Sequence, residues 1–191
     1  WTAERLAISG GDREAVQEVL ARLEELQGVP SKLQHLMAEL QRRREGDRIR
    51  QTVIFTRFSD TMNYLLRELR SRMPMARVGT FSGAGGSRFD PERGSMISQG
   101  RHGIAQDFVA KKIDVLLCTD AAAEGLNLQT ADLLINFDLP WNPAKVEQRI
   151  GRIDRIGQDH AEIEVVNYAY VGSAEERVYG RLLQRLETAG L

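Results

Sequence analysis

A chain of 191 residues with 42% hydrophobic and 28% charged residues has an ordinary globular composition, and it is long enough to bury a core. Its net charge of -1 excludes a basic surface over the whole molecule, so any binding of nucleic acid requires a local patch. No apolar stretch approaches the roughly 20 residues that span a bilayer, and the single cysteine, Cys118, excludes an internal disulfide. We therefore expect no membrane partner and a reducing, cytoplasmic location.

The first part of the chain has the apolar spacing of two helices. Residues 1–30 are predicted to form an amphipathic helical lead-in, because apolar side chains recur there at three- and four-residue steps. A second helix is predicted to begin at Ser31, which forms a capping-box pattern with Gln34. The charged stretch 42–50 is predicted to be a solvated helix end or loop, since its run of like charge is short and broken. We assign residues 31–191 to one domain.

From Thr52 onward, short β-rich runs alternate with helical patterns, which predicts an α/β fold with a parallel sheet and crossover helices. Strands are predicted over residues 52–56, 77–81, 113–119, 133–138 and 162–168. Helices are predicted from residue 59 or 60, over 104–109, after Pro143 with Asn142 as N-cap, and after Ser173. The Gly-rich stretch 82–103 is predicted to be a flexible loop and an insertion, because polar residues and glycine dominate it.

The helix predicted after Pro143 carries side chains of the types that bind phosphate groups in proteins. On a 3.6-residue helix, Gln148, Arg152 and Arg155 fall on one face. The apolar residues of another face, which can be buried, are Val146, Ile150 and Ile153. Arginine presents a planar fork of donors, and two arginines one turn apart suit a transferring phosphoryl group. A solvated basic face is the alternative, but Gly151 and the register of Gln148 favour a phosphate site.

A second candidate segment comes directly after the strand predicted over 113–119. Small residues there let the backbone approach a ligand, and Gly125 with Asn127 can form a turn whose N–H groups face an anion or a ribose. A tight strand-to-loop transition is the alternative. The sequence has no G-x-x-x-x-G-K-[ST] loop and no acidic pair placed to hold magnesium, so it predicts half of an ATP site whose other half lies in another lobe. The three histidines lack ligand spacing, which does not favour a metal site.

Three ordered segments resemble known motifs. VIFTRFSDTMNYL from Val53, LLCTDAAAEGLNLQTADLLINFDLPWNP from Leu116 and EQRIGRIDRIGQ from Glu147 are similar to the fourth, fifth and sixth helicase motifs of the Swi/Snf family of superfamily-two ATPases. The resemblance covers roughly residues 31–186 and implies a C-terminal RecA-like lobe, a parallel sheet with helices on both faces. It also implies an N-terminal RecA-like lobe of the same protein that holds most of ATP and Mg²⁺.

The resemblance implies roles for the residues that match the motifs. The implied arginine fingers and the residue that positions them are Arg152, Arg155 and Gln148. The residues implied near the nucleotide and the lobe interface are Glu124, Gly125 and Asn127. The residues implied to approach the phosphate backbone of one DNA strand are Thr56, Arg57 and Thr119. Trp141 is expected to brace the turn beneath the arginine helix by packing.

The activity implied by the resemblance is ATP-driven tracking along double-stranded DNA without strand separation, in which two lobes close on ATP. The Ala-Ala-Glu sequence before Gly125 resembles bacterial members, which include an RNA-polymerase-recycling ATPase and phage-defence translocases, so RNA polymerase or phage-defence proteins are candidate partners. The isolated lobe is expected to be nearly inactive. A non-catalytic module that docks nucleic acid or protein and a DEAD-box-type RNA helicase lobe are the alternatives, although FDLPWNP and RIGQ favour the Swi/Snf branch.

Overall fold

The computed structural model describes residues 29–90, 93–120, 126–173, 176–177 and 179–180. These residues form a β-sheet that is covered by helices on both faces. The helices with both ends inside these ranges are α1 (Ser31–Arg42), α2 (Ser59–Arg72), α3 (Arg101–Val109) and α4 (Pro143–Ile153). The strands are β1 (Arg44–Glu45), β2 (Arg48–Ile49), β3 (Thr52–Thr56), β4 (Val78–Ser82), β5 (Gly85–Asp90), β6 (Ser95–Gln99), β7 (Val115–Thr119), β8 (Leu133–Asn136) and β9 (Glu164–Asn167). Residues 1–28 of the predicted lead-in lie outside the described ranges.

The main sheet has seven strands in the order β6-β5-β4-β7-β3-β8-β9. Strands β4, β7, β3, β8 and β9 run parallel, whereas β5 and β6 are antiparallel additions at one edge. The predicted α/β class is therefore confirmed. None of the helices in the described ranges is long and apolar enough to cross a bilayer.

The central strands are buried on both faces because each face of the sheet packs against its own helices. Ile54 and Leu117 belong to a core with α1 and α2, while Val53 and Leu116 belong to a core with α3. Neighbouring residues of a strand point to opposite faces, so a strand covered on both sides needs a continuous apolar run. The apolar runs at β3, β7 and β8 meet this requirement, and strands were predicted over residues 52–56, 113–119 and 133–138.

Two predicted helix starts have different outcomes. Asn142 is the N-cap of α4, and its side-chain oxygen accepts a hydrogen bond from the Ala144 backbone N–H at 3.1 Å, as predicted. The capping box at Ser31 is wrong, because Pro30 holds the N-cap position and no side chain caps α1. The Gln34 side chain instead donates to a backbone carbonyl that precedes the helix.

The predicted flexible loop over residues 82–103 is wrong, because most of this stretch forms the β5–β6 hairpin and the start of α3. Glycine is needed at Gly86, where an added Cβ would lie 2.9 Å from Ile104 Cβ, so its absence lets α3 pack on β5. Arg88 on the hairpin donates to the Asp107 carboxylate of α3 at 2.8 Å. These contacts between distant residues outweigh the preference of glycine for turns. The local sequence shows only the turn preference, so it does not predict the hairpin.

The prediction of a solvated helix end or loop at 42–50 is only partly correct, because α1 ends at Arg42 and most of the stretch is exposed, but its middle is a hairpin. Strands β1 and β2 form a small hairpin, and its arginines bind buried carboxylates that precede the central strands. Arg43 and Arg50 both bind Asp132, and Arg48 binds Asp114 at 2.7 Å. Charged side chains can be buried when they are paired in this way. The hairpin therefore covers the amino-terminal edge of the sheet.

Candidate functional site

The carboxyl ends of the central strands form the edge at which ligands bind in open α/β sheets. Thr56 at the end of β3 is the register partner of Thr119 at the end of β7, and β8 ends beside them at Asn136. Helix α4 begins a few residues after β8 and lies over this edge, where Arg149 reaches the end of β8. The fold thus brings three motifs that are distant in sequence to one place.

Arg149 holds α4 against the carboxyl edge, and sequence reasoning missed it. Its guanidinium is 1% exposed and donates to Asp120 Oδ1 at 2.8 Å, to Asn136 Oδ1 at 2.6 Å and to the Asp138 carbonyl at 3.1 Å. The guanidinium carbon also lies 5.1 Å from the centre of the Phe55 ring. Burial lowers the pKa of Arg149, and the adjacent Asp120 carboxylate opposes that change. The buried Arg149 cation therefore contacts groups on three separate segments of the chain.

The predicted common face of Gln148, Arg152 and Arg155 is only partly correct. Gln148 and Arg152 lie one turn apart on α4, the first exposed and the second half-buried. The helix ends at Ile153, so the exposed Arg155 lies beyond it rather than on its face. Gly157, with a φ of 93°, turns the chain away soon afterwards.

An open groove of about 640 Å³ joins the two candidate segments. Its lining residues are Asn127, Gln129, Gly151, Asp154, Arg155 and Ile156. Cavities of 300–1,000 Å³ are typical of small-molecule sites. Asn127 and Arg155, which were expected on the nucleotide side, therefore share one groove. Glu124 and Gly125 lie outside the described residues.

Arg152 has a buried hydrogen-bond donor without an acceptor. Its Nε is buried and has no partner among the described residues. Its backbone carbonyl accepts from the Leu128 N–H at 3.2 Å, which ties the end of α4 to the segment that carries Asn127. A buried donor that lacks a partner is unfavourable by about 1–3 kcal/mol, and more when the group is charged. The arrangement therefore suits an acceptor that arrives with a ligand, such as a phosphate oxygen.

The two threonines expected at the nucleic acid are buried. The Thr56 hydroxyl donates to the Asp138 carboxylate and accepts from the Phe58 N–H at 3.3 Å, so its hydrogen bonds are used inside the protein. Thr119 is likewise buried at the end of β7. Both hydroxyls lie inside the protein in this structure, and a contact of either threonine with nucleic acid stays a prediction.

Arg57 lies between two exposed aromatic rings at the same edge. Its guanidinium carbon is 5.2 Å from the centre of the Phe58 ring and 5.6 Å from that of Trp141. Phe58 is 53% exposed and Trp141 is 59% exposed, so the expectation that Trp141 packs beneath the arginine helix is wrong. The corner instead offers a positive charge and two aromatic surfaces to solvent.

The family described as "Helicase conserved C-terminal domain" matches residues 31–157, well over half of the chain. An uncharacterized ATP-dependent helicase, YqhH, of Bacillus subtilis is 41% identical over 96 residues, which cover 50% of this chain and 17% of YqhH. The RNA polymerase-associated protein RapA of Serratia proteamaculans is 49% identical over 67 residues, covering 35% of this chain and 7% of RapA. The DEAD-box ATP-dependent RNA helicase 10 of Arabidopsis thaliana is 34% identical over 116 residues, which cover 61% of this chain and 23% of that helicase. The matched segments span less than a quarter of each relative.

Two solved structures share the fold. The C-terminal part of the Fun30 ATPase domain superposes with a TM-score of 0.55 at 22% identity, over 69% of this chain and 38% of that one. The C-terminal domain of the DEAD-box protein Dbp5 superposes with a TM-score of 0.59 at 21% identity, over 84% of this chain and 81% of that one. These likenesses agree with the RecA-like arrangement of the sheet and its two helical layers.

Proposed function

The chain belongs to the helicase C-terminal domain family, and we propose that it is the C-terminal motor lobe of an ATP-dependent translocase on double-stranded DNA. The observation that carries this proposal is the unpartnered, buried Nε of Arg152, whose chain neighbour Gly151 lines the same groove as Arg155. Two relatives are named as ATP-dependent helicases, which supports the proposal that this chain acts with a nucleotide. The division of the chain at residue 30 and the single domain over 31–191 remain predictions.

ATP with Mg²⁺ fits the groove because its phosphate oxygens are the acceptors that Arg152 lacks. Bound there, ATP supplies the phosphoryl group that water attacks. Arg152 and Arg155 donate to the charge that develops on that group, and Gln148, exposed one turn before Arg152, helps to position them. Asn127, together with Glu124 and Gly125, contacts the nucleotide from the facing segment. The Mg²⁺ ion is held mainly by the N-terminal lobe.

The N-terminal RecA-like lobe of the same protein covers the groove in this proposal. Ile156 on its wall is fully exposed, and Arg155 beside it is exposed as well. A large apolar side chain next to cations is typical of a surface that a partner covers, with the apolar contact at its centre. Closure of the two lobes on ATP completes the site, and reopening after hydrolysis moves the residues that hold DNA.

Double-stranded DNA binds at the corner formed by Arg57, Phe58 and Trp141. The Arg57 guanidinium lies against aromatic rings and forms no ion pair with a carboxylate of the described residues, so its charge stays available for a phosphate of the DNA backbone. Contacts to phosphate carry no sequence information, which agrees with tracking along DNA of any sequence. Thr56 and Thr119 support this corner from within the sheet.

The candidate partners of the whole protein come from its relatives and its sequence. The similarity to RapA, which is named as associated with RNA polymerase, makes RNA polymerase the first candidate. Phage-defence proteins are the other candidates, because the sequence also resembles bacterial translocases of phage defence. For either partner, we expect the activity in the cytoplasm.

The experiment that tests this function is ATP hydrolysis by the full-length parent protein with duplex DNA, single-stranded DNA or RNA. We expect the largest stimulation with duplex DNA, and slow hydrolysis by the 191-residue chain alone. Stimulation by RNA alone would favour the RNA helicase lobe, to which the Arabidopsis relative points. No measurable hydrolysis with any of the three nucleic acids would favour the non-catalytic docking module.

A further inference from the structure

A second cleft, of about 440 Å³, lies at the amino-terminal edge of the sheet, opposite the groove. It opens between the β1–β2 hairpin and the residues that precede the central strands. Its lining residues include Arg48, Arg50, Gln51, Lys111, Thr130 and His160. None of these residues has a role in the proposed ATPase.

Two side chains that line the cleft are buried, and each has one polar atom without a hydrogen-bond partner among the described residues. Gln51, 8% exposed, donates through Nε2 to the Phe108 carbonyl at 2.7 Å and to the Ile113 carbonyl at 2.9 Å. Those two acceptors fix the orientation of the amide, so Oε1 must be the free acceptor. Neither Gln51 Oε1 nor the hydroxyl of Thr130, which is 6% exposed, has a partner among the described residues. Buried polar groups of this kind are normally satisfied by protein, water or a ligand.

The surroundings of the cleft carry excess positive charge. The carboxylates are largely neutralised by arginines: Asp132 binds Arg43 and Arg50, while Asp114 binds Arg48 and Arg77. The Glu45 carboxylate lies 3.8 Å from Arg50 Nε. Lys111 adds an exposed ammonium that forms no ion pair within the described part of the chain. Among the residues that line the cleft, the cations Arg48, Arg50 and Lys111 therefore outnumber the carboxylates Glu45 and Asp132 by one.

We propose that this cleft binds a phosphate monoester that carries hydroxyl groups, as a sugar phosphate does. The phosphate group binds Lys111 and Arg50, on the side of the cleft where positive charge is in excess. A hydroxyl of the same ligand donates to Gln51 Oε1, and another pairs with the Thr130 hydroxyl. His160 closes the cleft, since its Nε2 lies 3.3 Å from the Thr130 carbonyl oxygen. The ligand links the hairpin to the sheet.

Thermal unfolding of the 191-residue chain with ribose 5-phosphate tests the proposal. At a concentration about ten times the dissociation constant, we expect the melting temperature to rise by about 3–6 °C. Inorganic phosphate should give a smaller rise, and ribose at the same concentration should give none. Sodium chloride at matched ionic strength controls for general salt effects.

Two variants separate specific binding from a general effect. Thr130→Val removes only the unpartnered hydroxyl, so the unligated chain should remain as stable or become more stable while most of the ribose 5-phosphate shift is lost. Lys111→Gln should likewise lose most of the shift, because it removes the unpaired ammonium. The matched control, Arg67→Gln, removes a positive charge from the exposed face of α2 and should keep the full shift.

Three results would overturn the proposal: no shift with ribose 5-phosphate, an equal shift with inorganic phosphate, or a shift that both Thr130→Val and Lys111→Gln retain. An equal shift with inorganic phosphate would remove the role of the ligand hydroxyls. Each readout is independent of ATP hydrolysis, so the outcome does not depend on the proposed motor function.

Discussion

Replacing Arg155 with alanine in the full-length parent protein is expected to lower ATP hydrolysis at saturating duplex DNA by about 10³-fold or more. In the proposed function, the exposed guanidinium beyond α4 would neutralise charge that develops only during phosphoryl transfer. DNA binding should change by no more than a few-fold, because Arg155 lies in the nucleotide groove and not at the Arg57 corner. Steady-state hydrolysis and fluorescence anisotropy with labelled duplex DNA measure the two effects.

The controls for Arg155→Ala distinguish a catalytic contact from lost charge. Arg155→Lys keeps the charge but not the planar fork and should recover only a small part of the rate. Arg67→Ala removes an exposed arginine from α2 and should leave hydrolysis within about two-fold, as expected for a surface substitution. An Arg155→Ala protein that hydrolyses ATP at the normal rate would contradict the finger assignment.

Replacing Arg149 with methionine is expected to destabilise the 191-residue chain by about 3–5 kcal/mol, because it leaves Asp120 and Asn136 without their buried partner. The melting temperature should fall by about 10 °C. Urea unfolding followed by circular dichroism measures the change in free energy of unfolding. We also expect the parent protein with this substitution to hydrolyse ATP more slowly, since α4 carries both Gln148 and Arg152.

Lys145→Met is the matched control for Arg149→Met. Lys145 lies on the same helix and faces the same acid, but it is exposed and its Nζ is 3.9 Å from Asp120. Exposed ion pairs contribute about 0–1 kcal/mol, so this substitution should have little effect on unfolding. Equal losses from the two substitutions would contradict the anchoring role of Arg149.

Local sequence was sufficient for the elements that position the site. The continuous apolar runs at β7 and β8 and the β-rich run at β3 identified three strands, and the structure places these strands next to one another inside the sheet. Asn142 followed by Pro143 identified the start of α4, because capping depends on residues within one turn. Those elements determine which edge of the sheet carries the motifs.

Features that depend on distant partners could not be predicted in the same way. The 42–50 hairpin is held by Asp132 and Asp114, which lie more than 60 residues away along the chain, so its arginines look solvated in sequence. Arg149 offered one usable signal, since it falls on the face of α4 that Val146 and Ile153 bury. A charged residue within a buried helical stripe indicates a buried partner, and that signal was overlooked.

The end of α4 illustrates the limit of helical periodicity. Periodicity placed Arg155 on the face of Arg152, but the helix ends at Ile153 and Gly157 takes a positive φ. A helix end depends on how the next segment of the chain packs, here the turn that Gln158 stabilises by donating to the Ile153 carbonyl at 2.9 Å. The two arginines are nevertheless near one groove, reached from a helix and from a turn.

Displacement of a third strand from a DNA triplex by the full-length parent protein distinguishes translocation along duplex DNA from strand separation. We expect ATP-dependent release of the third strand while the underlying duplex stays paired, because in the proposed function the lobe contacts the DNA backbone and does not separate strands. No release despite ATP hydrolysis, or unwinding of an RNA duplex in its place, would contradict the assignment of this chain to a double-stranded DNA translocase.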